Sequence, residues 1–267
     1  MIYTIVRPLL ISVGICYIFR MIAAIPPLRH KEEFRKLLAQ YRPSDEARDL
    51  FAKLNFVILS GVAGGGRNTV INRLVAQENY YFIVSDTTRP PKVRDGKLEE
   101  EGIQYWFRSE DEVLQDVKGG KFLEAELIHD QQVSGTSLRE LEEALHAGRT
   151  AIAEVEFGGA NNIAHVNPLA HIIGLLPPSF GEWKRRLENR EVMTTEEYAN
   201  RMRTAEKVIT NMLERPYFHI ILNDSIDEAV RDIKSVVAES YPLDKQSRAR
   251  QVAEEVLAAV QWEVKHL

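Results

Sequence analysis

The densest chemistry in the chain lies in nine consecutive residues, Gly61-Val-Ala-Gly64-Gly65-Gly66-Arg67-Asn68-Thr69. Glycines let a backbone curl until several N–H groups point at one anion. The spacing matches the phosphate-loop pattern G-x-x-x-x-G-K-[ST] at its two fixed glycines, Gly61 and Gly66. The next two positions depart from it. Arg67 stands where the lysine belongs and Asn68 where the hydroxyl residue belongs, with Thr69 one position late. Arg67 keeps the positive charge, but a guanidinium is flatter and stiffer than an ammonium and need not reach the same phosphate oxygens. Asn68 offers a carbonyl oxygen to a magnesium ion, on a longer side chain than serine's. Taken alone, the loop also describes a tight strand-to-helix turn that holds nothing.

Such a loop works only where a strand delivers it and a helix receives it. Phe56-Val57-Ile58-Leu59-Ser60, just before it, is a short apolar run rich in β-branched residues, the mark of a buried parallel strand. Val70, Ile71, Leu74 and Val75, just after it, have helical spacing. Apolar runs recur from Tyr81 to Ser85, Thr150 to Val155, His171 to Leu176 and His219 to Leu222, with helical patterns between them. The pattern predicts an α/β fold with about five parallel strands in a doubly wound sheet flanked by helices. Between Arg89 and Gly135 it predicts an inserted lobe of short strands with a helix over roughly 110–118. Arg186 and Arg190, four apart, share one face of a predicted helix, and Arg201 falls on the next.

The order of several short motifs resembles the guanylate kinase family. They are Ser85-Asp-Thr-Thr-Arg89-Pro, Tyr105-Trp-Phe, Phe122-Leu-Glu124 and Gly135-Thr136-Ser137, followed by Glu154-Val-Glu156 with Gly159, Pro177-Pro178-Ser179, Lys184 to Arg190, Asn200-Arg201 and Asn223-Asp224. The resemblance spans about 185 residues, and order with spacing makes it far more specific than any one motif. It implies a phosphate-loop nucleoside monophosphate kinase fold with a small GMP-binding lobe (about 89–136) and a helical lid (about 186–201). It also implies ATP and GMP as substrates and magnesium as cofactor. Arg89 and Tyr105 resemble the family's holders of the GMP phosphate, with Lys92 where a second arginine is usual and Ser134 where a tyrosine is usual. Glu124 resembles the carboxylate that accepts from guanine N1 and N2, with Ser85 and Thr136 beside the base and Glu156 where aspartate is usual. Arg186, Arg190 and Arg201 resemble the lid arginines that act with the loop cation, and Glu191 to Thr194 the closing segment between them. Arg67 and Asn68 leave a second reading open, a guanylate-kinase-like module that binds a nucleotide or a protein without catalysis.

Both ends differ from this central part. Residues 1–27 are strongly apolar, broken by Arg7, Pro8 and Arg20. The uninterrupted run from Leu9 to Phe19 is short against the roughly 20 residues of a bilayer span. It reads as a leader with Met21 as a possible start, or as an anchor if both arginines reach the interface. Residues 28–54 predict a helical adapter, with Phe34, Leu37 and Leu38 on one face and a second helix started by Ser44. The assignment then runs 55–240 for the kinase-like part and 241–267 for a terminal helix. Val252, Val256, Val260 and Val264 form its apolar row, and it packs on the main part, on the adapter, or on a second copy of the chain. A formal net charge of −5 argues against a general nucleic-acid binder. A single cysteine, Cys16, excludes an internal disulfide framework and a cysteine-based zinc site, in keeping with a reducing, cytoplasmic location.

Overall fold

The computed structural model describes residues 27–77, 79–94, 96–190 and 193–267. The apolar segment before residue 27, with its anchor and start-site readings, lies outside them, as do Glu191 and Val192. Among the described residues, no helix is long and apolar enough to cross a membrane.

In chain order, helices α1 (Lys31–Ala39) and α2 (Asp45–Phe51) lead to strand β1 (Phe56–Gly61), helix α3 (Arg67–Val75) and strand β2 (Tyr80–Phe82). Then come the short strands β3 (Asp86–Thr87), β4 (Val93–Arg94), β5 (Lys97–Leu98) and β6 (Trp106–Phe107), helix α4 (Glu110–Lys118) and the pair β7 (Phe122–Ile128) and β8 (Gln132–Ser137). The chain continues through α5 (Leu138–Ala147), β9 (Thr150–Glu154), α6 (Phe157–Val166), β10 (His171–Leu176), α7 (Phe180–Arg190) and α8 (Thr195–Glu214). It ends with β11 (Phe218–Leu222), α9 (Ile226–Val237) and α10 (Leu243–His266).

The main sheet has five parallel strands in the order β11-β10-β1-β9-β2. β1 is buried on both faces because its residues alternate between two cores. Val57 and Leu59 meet α3 and α9, while Phe56 and Ile58 join the core shared with α6, α8 and α10. This double burial explains why the strand is a continuous apolar run. The expected strand from Tyr81 to Ser85 is cut short at Phe82. Beyond it, the Val84 N–H donates to Glu140 (3.0 Å) and the Ser85 carbonyl accepts from the Trp106 N–H (2.9 Å), so the backbone leaves the main sheet.

A second, four-stranded sheet, β6-β3-β8-β7, forms the lobe. α1 and α4 cover it, burying Leu28, Phe34, Val113, Leu114, Val117 and Phe122 together. The Tyr41 hydroxyl donates to the Phe122 carbonyl (2.7 Å) and accepts from the Phe122 N–H (2.9 Å), fixing the end of α1 to β7. Ser44 caps α2 by accepting from the Ala47 N–H (3.1 Å), and Phe51 of α2 enters the main core. α10 lies on α8, β11 and α7. Val256 and Val260 of its apolar row are buried, Val252 and Val264 half-buried, and Ala249 and Ala253 complete the buried face.

Candidate functional site

The loop from Gly61 to Gly66 leaves the C-terminal end of β1 and enters α3, as the glycine spacing predicts. Ligands of open parallel sheets sit at such strand ends. Gly66 takes φ +93° at the start of α3, and a Cβ there would collide with the Asn223 amide. That amide donates to the Gly65 carbonyl (2.8 Å), and the Trp183 indole N–H donates to the Ala63 carbonyl (2.7 Å). Both carbonyls are therefore occupied, and the Gly65 N–H is itself spent on the Val62 carbonyl (3.0 Å), so it is the N–H groups at the start of α3 that suit an anion.

Arg67 begins α3 and is only 14% exposed. Its guanidinium is ion-paired with Glu154 at the end of β9, at 3.1 Å. The loop cation is thus held by a carboxylate on the adjacent strand. Asn68 and Thr69 stand exposed on the first turn of α3. Arg186, on α7, donates from Nη2 to the Asn223 carbonyl (3.0 Å) and from Nε to Glu182 (2.7 Å). Asn223 therefore links it to the phosphate loop. Hydrogen bonds from Arg185 and Arg186 hold the Glu182 carboxyl down at about 2. Arg190 closes α7, and its side chain lies outside the described residues. Arg201 is half-buried on α8, one turn after Glu197, whose pKa is lowered first by hydrogen bonds from the Thr194 backbone and hydroxyl and last by the charge of Arg201.

In the lobe, Arg89 is buried rather than solvated, at 3% exposure. Glu99, also buried, takes Nη1 at 2.5 Å and Nη2 at 3.0 Å, and the Pro90 carbonyl takes Nη1 again at 2.9 Å. A guanidinium carries five N–H donors, so one Nη2–H and the Nε–H, a single edge of the fork, stand beyond these three bonds. The Tyr105 ring lies under the guanidinium at 4.6 Å and Phe107 at 5.7 Å. The exposed Lys92 donates its backbone N–H to the same Glu99 carboxylate (2.9 Å). Ser134 donates to the Thr87 hydroxyl (2.8 Å).

Glu124 and Thr136 face each other across β7 and β8. Glu124 is buried and accepts from the Thr136 N–H at 2.9 Å. Burial first, and then the charge of Glu126, push its pKa up to about 7. Glu126, two residues along the same strand face, is raised by burial and by the charge of Glu156. Glu156 occupies the N-cap position of α6, with no capping hydrogen bond from its side chain. A Cβ on Gly159 would come within 3.2 Å of Glu124 Oε2, so that glycine gives the carboxylate its room. Ser85 sits half-buried at the crossing into the lobe.

Three contributors carry no assignment from sequence. Glu99 lies in the run Glu99-Glu100-Glu101, where residue type marks none of the three. Only the β4–β5 hairpin, which returns the chain over Arg89, selects it. Asn223 and Glu154 stand in the ordered motifs, but only the fold gives them partners. Among the described residues, no group of three or more His, Cys, Asp or Glu side chains could hold a metal ion.

With this geometry established, three comparisons bear on it. The family model described as "Guanylate kinase" matches residues 53–240. The chain is 35% identical over 192 residues to the guanylate kinase of Bifidobacterium longum, covering 70% of this chain and 95% of that protein. It is 36% identical over 183 residues to that of Corynebacterium diphtheriae, covering 68% and 93%. Among solved structures, the crystal structure of guanylate kinase from Anaplasma phagocytophilum superposes with a TM-score of 0.53 at 25% identity, covering 72% of this chain and 89% of that one.

Proposed function

The chain belongs to the guanylate kinase family, and from that premise we propose that it moves the γ-phosphoryl group of ATP onto GMP or dGMP, slowly for its family. Glu124 is the observation that carries the choice of acceptor. One of its oxygens is tied to the Thr136 N–H, and its room is kept by Gly159. A guanine edge offers N1–H and an exocyclic amine to the carboxylate. Adenine would leave it buried and unpaired, at a cost of about 1–3 kcal/mol. Arg89 holds the acceptor phosphate with the Nε–Nη2 edge that Glu99 leaves, and Glu99 with Tyr105 fixes that edge in place. Ser85, Thr136 and Glu156 border the base, and Lys92 supplies a point charge near the phosphate.

At the donor side, the loop N–H groups and the start of α3 bind the ATP phosphates. In the transfer, an acceptor phosphate oxygen attacks the γ-phosphorus and the bond to the β–γ bridging oxygen breaks. Arg67, Arg186, Arg190 and Arg201 bear on the charge that builds up. Arg186 is placed for this by Asn223, which also holds the loop. Magnesium, bound chiefly by the nucleotide's own phosphates, would neutralise charge there, with Asn68 as the chain's own oxygen donor. The exposed Asn68 fits that limited share, since magnesium rarely needs an all-protein cage.

Slowness follows from Arg67. Its pairing with Glu154 must loosen before the charge serves a phosphate, and its rigid fork is not the lysine's point charge. The same ion pair favours the second reading, a module that binds nucleotide without turnover. A coupled assay with ATP, magnesium and each of the four monophosphates tests both. GMP-dependent ADP release, with AMP, CMP and UMP well behind, is expected. Nucleotide binding by calorimetry with no ADP release would establish the module instead.

A further inference from the structure

The family model ends at residue 240, before α10. Yet α10 touches both helices that carry the lid arginines. It is a single helix of 24 residues, about 36 Å long. Its first half is seated on the core through Ala249 and Ala253, and Arg250 donates to the Leu213 carbonyl at the end of α8 (2.5 Å). Near its far end, Glu263 meets both helices at once. Its Oε1 accepts from Lys184 Nζ on α7 (3.0 Å) and from the Tyr198 hydroxyl on α8 (2.6 Å). Lys184 Nζ also lies 5.5 Å from the centre of the Tyr198 ring. The Glu263 carboxylate is 15% exposed while the Lys184 side chain is 40% exposed, so the contact lies at the protein's edge, and its strength comes from one oxygen serving two donors rather than from burial.

Position gives that contact its meaning. Lys184 is two residues before Arg186, and Tyr198 three before Arg201. α7 and α8 are consecutive, and one carboxylate oxygen joins the middle of the first to the first turn of the second. We propose that Glu263 is a positioning residue for phosphoryl transfer, tying the two lid helices to α10 so that their arginines are held in register with the phosphate loop. This rests on the reading of the site as a guanylate kinase. The acceptor pocket in the lobe lies outside this linkage.

The experiment is Glu263→Ala in the full chain, with Glu263→Gln and Tyr198→Phe beside it. Since lid angle bears on the transition state and not on GMP binding, kcat should fall about tenfold while KM for GMP stays within about twofold. Glu263→Gln keeps the accepting oxygen and should recover part of the rate. Tyr198→Phe should add little in the Glu263→Ala background, because the groups act as one unit. Amide hydrogen exchange reads the same tether without turnover: α7 and the first turn of α8 should exchange faster in Glu263→Ala, with β7 and β8 unchanged. Parent kcat with unchanged exchange in Glu263→Ala would overturn the proposal, as would losses of kcat and GMP affinity together with faster exchange throughout. A parent protein with no GMP-dependent transfer would refute the kinase reading. Hydrogen exchange would still decide the tether in that case.

Discussion

Glu124 gives the acceptor site a pH signature. Its pKa in the ligand-free protein is pushed up to about 7, by burial first and by Glu126 second. Only the ionised carboxylate accepts from both guanine donors, so GMP must bind the charged form. At a pKa near 7 the group is about one-tenth ionised at pH 6 and about nine-tenths ionised at pH 8. GMP affinity should therefore rise about tenfold over that interval, equivalent to roughly 1.4 kcal/mol. The ligand's own phosphate, titrating near pH 6, adds about a factor of two. Glu124→Gln separates the two contributions. It should lose about 1.5–3 kcal/mol of binding at pH 8 by removing a charged acceptor, and keep only the roughly twofold phosphate slope. The stability of the ligand-free protein should move the opposite way. A carboxyl raised on folding is in its favoured state below about pH 4.5, and stability is lost as pH climbs towards 7, by no more than about 3 kcal/mol. Isothermal titration of GMP at three pH values, on parent and Glu124→Gln, is the assay. Equal slopes in the two proteins would refute the reasoning, because the carboxylate would then already be ionised or would not meet the base.

Three further outcomes are expected. Arg67→Lys with Asn68→Ser should raise kcat by at least about tenfold, since lysine leaves Glu154 more easily and serine suits magnesium better; an unchanged rate in steady-state kinetics would mean that the loop is tuned around its arginine. Glu99→Ala should cost about 3–5 kcal/mol in urea unfolding by stranding the buried Arg89 charge, and a loss below about 1 kcal/mol would mean that water reaches the pair. Phe34→Ala should cost about 3–5 kcal/mol by emptying the centre of the α1–lobe contact, with amide exchange rising first in α1 and α4; loss of less than about 1 kcal/mol would show α1 to be loosely attached.

Sequence alone determined whatever depends on local periodicity and spacing. β1 could be read because a strand buried on both faces is a nearly continuous apolar run, here Phe56 to Leu59. The loop could be read because few residue types tolerate what Gly64 and Gly66 do, at φ +76° and +93°. The α4 helix, with Ser109 and Glu112 as its capping box, carries its own start signal. Arg89 and Glu124 were legible only through the order of motifs around them, since a single charged residue looks the same on a surface as in a pocket. The tertiary structure decided which charges meet. That Glu99 rather than Glu100 or Glu101 holds Arg89, that Glu154 holds Arg67, and that Glu263 joins Lys184 to Tyr198 are facts about chain crossings 10, 87, 79 and 65 residues apart. Such pairs leave no periodic trace, because an ion pair needs only two atoms within reach and the fold alone brings them there.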